Sequence, residues 1–291
     1  MTPSPARAAG PAHEGHPSVS DALEELELRL LLEGVFQVYG FDFRDYAPSS
    51  LRRRVRHLLR DEDVSSISAL QDRVLHDPAA LSRLVHTLSV SVTSMYRDPG
   101  FFRAFRQQVV PVLRTYPVVR IWHAGCSTGE EVYSMATLLE EESIYERCRL
   151  YATDMNETAL QKAAAGVFPL AAMREHTSRY LAAGGHRSFS EYYVVRGREA
   201  AFHRRLRRNV VFAQHNLVTD RSFNEFNVIL CRNVLIYFNR PLQERVHRLL
   251  YESLGRLAFL GLGSKETVQF TPFERSYQVI DAAHKLYRKV A

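Results

Sequence analysis

The chain has 291 residues, 46% of them hydrophobic, and a formal net charge of +6 from 38 basic and 32 acidic residues. This length predicts one or two domains with a sizeable core, while no apolar run approaches the roughly 20 residues that a membrane-spanning helix needs. The three cysteines have no CxxC spacing, which argues against a disulfide framework or a structural zinc site, and we therefore expect a cytoplasmic protein.

The first part of the chain predicts a leader followed by helices. Residues 1–20 contain four prolines and no apolar segment typical of a signal peptide, which favours a disordered leader. From 21 to 90 apolar residues recur at helical spacing, which predicts a small helical domain. In its segment "LRRRVRHLLR", residues 51–60, five arginines border the apolar positions. A linker over 91–116 follows, with a connecting helix that begins near Pro99.

Beyond residue 116 strand-like and helix-like segments alternate. Strands are predicted at 118–124, 149–154, 210–214, 227–231 and 257–262, and helices at 129–142, 156–165 and 241–254. This alternation indicates right-handed crossovers and a mostly parallel sheet covered by helices on both faces. Residues 174–208 interrupt the alternation with hairpin character, which predicts a small β subdomain inserted into a domain over 117–291. The fold class is therefore α/β, with an all-α domain in front.

The turn "HAGCSTGEEVYS", residues 123–134, indicates a ligand with a positive charge. Ligands of open α/β sheets bind beyond the carboxyl ends of the strands, and a glycine would let a nucleoside approach the backbone at Ala124 and Gly125. Glu130 and Glu131 begin the next helix, where they would repel a phosphate. S-adenosylmethionine, with an ammonium and a sulfonium, fits this turn better, and Glu130 could pair with the ammonium. Alternatively, both acids only favour the helix dipole.

Two later strand ends also carry polar residues. "RLYATDMNE" ends its strand at Asp154, where a carboxylate could bind a ribose, although Asp154 and Glu157 also have the spacing of a capping box. In "VILCRNVLIYF", Arg232 and Asn233 interrupt an apolar run at its predicted carboxyl end. Their side chains should point toward the ligand crevice. Tyr237 could instead be a core residue with a bonded hydroxyl.

Six segments in this order resemble the CheR-type chemotaxis receptor methyltransferases, over roughly residues 25–290. They are "SVTSMYRDPGFF", "IWHAGCSTGEEVYS", "YATDMNETALQKAAAGVF", "QHNL", "CRNVLIYF" and "LGSKE". The resemblance implies a Rossmann-like domain that uses S-adenosyl-L-methionine to methylate glutamate side chains of receptors, with S-adenosyl-L-homocysteine as product. The cofactor-binding residues that it implies, together with those expected from the turn, are Ser91, Thr93, Arg97, Ala124, Gly125, Glu130, Asp154, Asn216, Leu217, Arg232 and Asn233. Ser91 stands where many family members have asparagine.

The same resemblance implies roles on the side of the methyl acceptor. Tyr237 would lie near the transferred methyl group, and Arg97 or Tyr237 would hold the acceptor carboxylate. The family contacts its receptor through a basic helix of the N-terminal domain. This role falls to Arg52, Arg53 and Arg56, which would meet the cytoplasmic helical domain of the receptor. The β subdomain has no clear G-x-G insertion, so we do not expect tethering to a receptor tail.

Two alternatives remain open, a methyltransferase that acts on nucleic acid and a protein that senses S-adenosylmethionine without catalysis. The arginine-rich segments at 51–60 and 196–209 favour an acidic partner in general. However, the proline-rich turn common in base-modifying methyltransferases is absent after the fourth strand. We therefore expect no nucleic-acid partner, no membrane insertion, no metal ion and a monomer. For the arginines of 196–209 we expect a solvated face.

Overall fold

Helices form the N-terminal part of the protein. The computed structural model describes residues 19–89 and 93–290, so most of the predicted leader and the predicted cofactor residue Ser91 lie outside the described residues. The helices of this part are α1 (Val19–Tyr39), α2 (Pro48–Asp61), α3 (Ile67–His76) and α4 (Pro78–Leu88). Helix α1 includes the last two residues of the predicted leader, 19 and 20. Among the described helices, none is long and apolar enough to cross a membrane.

Local sequence explains where these helices begin. Ser66 caps α3 by accepting the N–H of Ala69 at 3.1 Å, and Asp77 caps α4 by accepting the N–H of Ala79 at 2.8 Å. Proline occupies the first turn of α2 and of α4, where it costs no hydrogen bond. The side of α2 that faces the core carries Leu51, Val55 and Leu58. Its arginines therefore lie on the other sides of the helix, where they face solvent or neighbouring segments of the chain.

A mostly parallel sheet forms the centre of the second part of the chain. Two helices precede it, α5 (Pro99–Gln108) and α6 (Val110–Leu113). Its strands and helices are β1 (Val119–Ala124), α7 (Glu130–Glu141), β2 (Cys148–Asp154), α8 (Glu157–Ala165), β6 (Val210–Gln214), β7 (Phe226–Cys231), α10 (Arg240–Ser253), β8 (Leu254–Leu262), β9 (Tyr277–Asp281) and β10 (Leu286–Lys289). Within the described residues the strand order is β6-β2-β1-β7-β8-β10-β9, and only the pairs that involve β10 are antiparallel.

A small antiparallel sheet lies between α8 and β6 in the sequence. It consists of β3 (Val167–Pro169), β4 (Tyr193–Arg196) and β5 (Glu199–Phe202), in the order β3-β5-β4, with α9 (Met173–Ala182) between β3 and β4. The inserted β subdomain thus begins before the predicted residue 174, because Val167 pairs with Ala201. The predicted fold class, a mostly parallel α/β domain with a small inserted β subdomain and an all-α N-terminal domain, is confirmed.

The N-terminal helices share one hydrophobic core with a face of the main sheet. Leu31 and Val55 of the helices belong to the same buried cluster as Trp122 and Ile229 of the sheet. A second cluster on the other face holds α5, α7 and the β subdomain together. Because apolar burial contributes roughly 25 cal/mol per Å², this shared core fixes the N-terminal helices against the sheet edge where the strands end.

Parallel register brings several strand ends to one place. Ala124 at the end of β1 is aligned with Thr153 of β2, and Asp154 is aligned with Gln214 at the end of β6. Strand β7 pairs with β1 on the other side. The carboxyl ends of β1, β2, β6 and β7 therefore meet at one edge, where ligands of open α/β sheets bind.

His247 makes the stability of this fold depend on pH. Burial in α10 lowers the pKa of His247 to about 4, whereas an unfolded histidine titrates near about 6.5. Between these values the unfolded chain binds a proton that the folded chain does not, so stability is lost as the pH falls from about 6.5 to about 4, by up to about 3 kcal/mol. His247→Gln should reduce this loss, measured as the free energy of unfolding in urea at pH 7 and pH 4.5. His76→Gln, at an exposed position, should retain the wild-type dependence; equal slopes in all three proteins would contradict the prediction.

Candidate functional site

The turn between β1 and α7 folds back onto the end of β2. The N–H of Gly125 donates to the carbonyl oxygen of Thr153 at 2.9 Å, and the N–H of Ser127 donates to Oδ2 of Asp154 at 2.8 Å. Gly125 has a φ of +78°, and a Cβ at this position would lie 2.6 Å from a methyl carbon of Val234. A glycine is therefore required here, and it brings the backbone of this turn close to any ligand beyond the strand ends.

Asp154 ends β2 without capping the following helix. Asn156 is the cap of α8, because its Oδ1 accepts the N–H of Ala159 at 3.1 Å, so the capping-box alternative for Asp154 is wrong. The two carboxylate oxygens of Asp154 each accept one backbone N–H, from Asn156 at 2.9 Å and from Ser127. Burial raises the pKa of this carboxyl, and the N–H donors oppose the rise. Each oxygen keeps a lone pair, which suits hydroxyl donors such as those of a ribose.

The two glutamates of α7 differ in where their carboxylates lie. Glu130 accepts a hydrogen bond from the hydroxyl of Thr128 at 2.7 Å and does not line the cleft. Glu131 does line it, and its carboxylate accepts from His123 at 3.0 Å and from Arg232 at 2.9 Å. Burial alone would raise the pKa of Glu131, but the hydrogen bond from His123 and the charge of Arg232 lower it. Glu131, rather than the residue chosen from the sequence, Glu130, therefore lies where it could contact a bound ammonium.

Arg232, at the end of β7, is enclosed by partners from three elements. Besides Glu131, its Nη2 donates to Oδ2 of Asp98 at 2.9 Å and to the carbonyl oxygen of Arg97 at 3.0 Å. Its guanidinium carbon lies 4.1 Å from the ring centroid of Phe101. Arg232 borders the cleft, but these contacts make it a support for Glu131 and for the segment before α5.

Glu266 holds the turn that follows β7. Its carboxylate accepts the N–H of Asn233 at 2.9 Å, of Val234 at 2.8 Å and of Gly263 at 2.6 Å. Burial raises the pKa of Glu266, and these backbone donors oppose the rise. Asn233 has a φ of +61°, a left-handed conformation that asparagine tolerates better than most residues. Glu266 therefore fixes the turn that carries Asn233 and Tyr237.

A cleft of about 930 Å³ lies over these strand ends. Nine residues predicted from the sequence line it: Thr93, Arg97, Gly125, Asp154, Asn216, Leu217, Arg232, Asn233 and Tyr237. Two predicted cofactor residues, Ala124 and Glu130, do not line the cleft. Ala124 is the last residue of β1 and only 2% exposed, so its side chain belongs to the core.

Other residues of the cleft wall were not predicted. They are Tyr46, Ser89, Cys126, Ser127, Glu131, Met155, His215, Val218, Val234 and Phe238. Most are sequence neighbours of predicted residues, so the motifs already marked their segments. Tyr46 is different, because it comes from the loop before α2, and it is 7% exposed with its ring edge against Phe238 at 5.0 Å between centroids. No sequence pattern indicated this contact between the two parts of the chain.

The wall of the cleft fits S-adenosyl-L-methionine. Asp154 offers acceptors for a ribose diol, Glu131 a negative charge for the ammonium, and Arg97 a positive charge for the carboxylate of the amino-acid end. Gly125 gives the close backbone approach that a nucleoside requires.

The ribose role of Asp154 predicts a strong effect of a small change. In Asp154→Asn the side chain keeps its size but loses its charge and one acceptor, so the affinity for S-adenosyl-L-homocysteine should fall by about 10–100-fold. Titration calorimetry measures this directly. Asp72→Asn, at an exposed carboxylate of α3, is the control. An Asp154→Asn protein that binds like the wild type would contradict the assignment.

The two glutamates of α7 provide a matched pair of variants. Glu131→Gln removes the charge beside the proposed ammonium position and should weaken S-adenosyl-L-homocysteine binding by about tenfold or more. Glu130→Gln should change this affinity by less than about threefold, because its carboxylate lies off the cleft wall. Thermal unfolding of both proteins checks that each is folded. The reverse order of effects would restore the sequence-based choice of Glu130.

Comparisons with known proteins agree with this site. Residues 91–285 match the model of the CheR methyltransferase SAM binding domain, and residues 26–89 match that of the CheR methyltransferase all-alpha domain. A Pseudomonas putida protein named "Putative methyltransferase Cher3" is 46% identical over 93% of this chain and 99% of that protein. "Chemotaxis protein methyltransferase 1" of Pseudomonas aeruginosa is 26% identical over 91% of this chain and 97% of that protein.

Among solved structures, the N-methyltransferase NodS from Bradyrhizobium japonicum in complex with S-adenosyl-l-homocysteine is similar to this chain. It is 12% identical, with a TM-score of 0.39 and coverage of 76% of this chain and 96% of that one. The two family models together include both the all-α part and the domain that carries the cleft. The chain therefore belongs to the CheR methyltransferase family and is an S-adenosyl-L-methionine-dependent methyltransferase.

Proposed function

We propose that the protein methylates glutamate side chains of methyl-accepting chemotaxis receptors, which gives glutamate methyl esters and S-adenosyl-L-homocysteine. The observation that carries the proposal is that Arg97 and Tyr237 line the same cleft as Glu131 and Asp154. The two carboxylates and Arg97 suit the charged groups of the cofactor, whereas the hydroxyl of Tyr237 suits an anionic acceptor. The relatives named chemotaxis protein methyltransferase support the choice of receptor as substrate.

Methyl transfer to a carboxylate requires the protein to align the acceptor with the methyl group, but it requires no general base. A glutamate side chain with a pKa near about 4.3 is already anionic at neutral pH. When bound, S-adenosyl-L-methionine supplies the methyl carbon, which bonds to a carboxylate oxygen as the carbon–sulfur bond breaks and its electron pair returns to sulfur. The residues of the chain have to hold the acceptor carboxylate in line and partly strip it of water. The Tyr237 hydroxyl is proposed for this task, because Arg97 is assigned to the carboxylate of the cofactor.

Receptor recognition is proposed for the exposed arginines of α2. Arg56 pairs with Glu24 of α1 at 2.6 Å, Arg52 pairs with Glu25, and Arg53 is exposed. Exposed ion pairs contribute only about 0–1 kcal/mol, so acidic groups of a receptor helix could replace these glutamates at little cost. A partner then has to present enough acidic groups to displace Glu24 and Glu25 from these arginines.

Methylation of nucleic acid is the alternative that the arginines of 196–209 invite. In the structure Arg205 pairs with Glu140 at 3.0 Å, Arg208 pairs with Glu146, and Arg207 donates to the carbonyl oxygens of Ala164 and Ala165. Cations engaged within the chain supply less free charge for a phosphate backbone. The expected monomer and the cytoplasmic location stay predictions.

Removal of the Tyr237 hydroxyl should slow methyl transfer without weakening cofactor binding. For Tyr237→Phe we expect kcat on a receptor cytoplasmic fragment to fall by about 10–100-fold, because a hydrogen bond to a charged group is lost. The affinity for S-adenosyl-L-homocysteine should stay within about twofold. Incorporation of a labelled methyl group measures the first quantity and calorimetry the second.

Tyr39→Phe is the matched control, since the Tyr39 hydroxyl donates to the carbonyl of Leu75 at 3.0 Å within the N-terminal helices. Equal rates for the two variants would remove the role proposed for Tyr237. A wild-type protein that binds S-adenosyl-L-homocysteine but methylates no receptor fragment would refute the proposed substrate, and labelled transfer to DNA or RNA would then be measured.

A further inference from the structure

Arg54 of α2 differs from the neighbouring arginines in the direction of its side chain. It is half-buried, its Nη1 donates to the carbonyl oxygen of Leu88 at 2.6 Å, and its guanidinium carbon lies 5.0 Å from the ring centroid of Tyr237. The arginine thus reaches from the N-terminal helices to the residue expected near the transferred methyl group.

The loop before α2 holds this arrangement in place. The N–H of Ala47 donates to the carbonyl oxygen of Tyr237 at 2.9 Å. The N–H of Asn239 donates to the carbonyl oxygen of Asp45, also at 2.9 Å. The carboxylate of Asp45 also accepts from Arg245 at 2.8 Å. Since α2 begins at Pro48, its first turn is fixed to the turn that carries Tyr237, and Arg54 follows within two helical turns.

Arg54 carries a charge for which the described part of the chain supplies no counter-ion. Arg52 and Arg56 pair with Glu25 and Glu24, but no described carboxylate lies within 4.0 Å of the Arg54 guanidinium. Its contacts are the carbonyl oxygen of Leu88 and the ring and hydroxyl of Tyr237, none of which is an anion at neutral pH. A cation that is partly withdrawn from water without an anion is costly, so such a group indicates a place where an anion binds.

The cations on the cleft wall are already assigned to other anions. Arg232 is already engaged by Glu131 and Asp98, and Arg97 is the cation that we assign to the carboxylate of the cofactor. A glutamate substrate brings a second carboxylate to the end of the cleft marked by Tyr237. A second cation is needed there. Arg54 does not itself line the cleft, but among the described residues it lies directly behind Tyr237, which does.

We propose that Arg54 binds the acceptor glutamate carboxylate and presents it next to Tyr237. This inference rests on the proposed function and assigns the acceptor site to both parts of the chain. Arg52, Arg53 and Arg56 would recognise the receptor helix, whereas Arg54 would hold the side chain that reacts. One carboxylate oxygen stays bonded to Arg54 while the other is free to take the methyl group.

The test compares Arg54→Gln with Arg60→Gln, an exposed arginine at the end of the same helix. For Arg54→Gln we expect kcat/KM for a receptor cytoplasmic fragment to fall by about 100-fold, with S-adenosyl-L-homocysteine affinity within about twofold of the wild type. Arg60→Gln should lose less than about threefold of kcat/KM. Arg54→Lys, which keeps the charge but not the fork of donors, should recover part of the activity.

Binding gives a readout independent of methyl transfer. With S-adenosyl-L-homocysteine present, the wild type should bind a fragment with glutamate at the methylation position more tightly than one with glutamine, and Arg54→Gln should lose this preference. Added guanidinium ion should restore activity to Arg54→Ala, which a merely structural role of Arg54 does not predict.

The outcomes separate the two proposals. If the wild type methylates the fragment and Arg54→Gln behaves like Arg60→Gln, the inference about Arg54 is wrong while the proposed function stands. If Arg54→Gln unfolds, rescue by guanidinium and the activity of Arg54→Lys decide, and failure of both overturns the inference. If the wild type transfers no methyl group to the fragment, the proposed function fails and the inference fails with it.

Discussion

The geometry of the cleft depends on the buried guanidinium of Arg232. It links the end of β7 to α7 through Glu131 and to the segment before α5 through Asp98, and it lies over the ring of Phe101. Loss of both carboxylates would leave this buried charge uncompensated, which costs about 3–5 kcal/mol. The three chain segments are therefore held in one arrangement.

One consequence concerns the charge of Glu131. A carboxylate at a strand end would tend toward the neutral acid when buried, but His123 and Arg232 keep the pKa of Glu131 low. The acid therefore carries the full negative charge that an ammonium requires. Arg232, which the sequence predicts as a cofactor residue, thus also supports the acid beside it. Glu266 has a comparable role on the next turn, where it satisfies the N–H groups around Asn233.

Much of this arrangement could be predicted from the sequence, because alternation and turn chemistry are local. The five parallel strands, Gly125 and Asp154 follow from such patterns. Three features could not be predicted from them. The choice between Glu130 and Glu131 depends on the rotation of α7 about its axis, which the packing of the helix sets. Strands β9 and β10 are short and depend on pairing, of β10 with β8 and of β9 with β10. The contact of Tyr46 with Phe238 joins segments 192 positions apart in the numbering.

The arginines of α2 also have environments that could not be predicted from the sequence. Counting charge in "LRRRVRHLLR" predicts a basic surface, yet each arginine has its own environment. Arg52 and Arg56 are ion-paired with α1, Arg53 is exposed, and Arg54 turns toward Tyr237. A helix places successive side chains about 100° apart, so one segment can face both a partner protein and the cleft. The loop before α2 is hydrogen-bonded to the turn that carries Tyr237. A receptor that binds to α2 would therefore act directly on the position of this turn. The backbone of residues 45–47 therefore connects the helix proposed to recognise the receptor with the turn proposed to align the acceptor carboxylate.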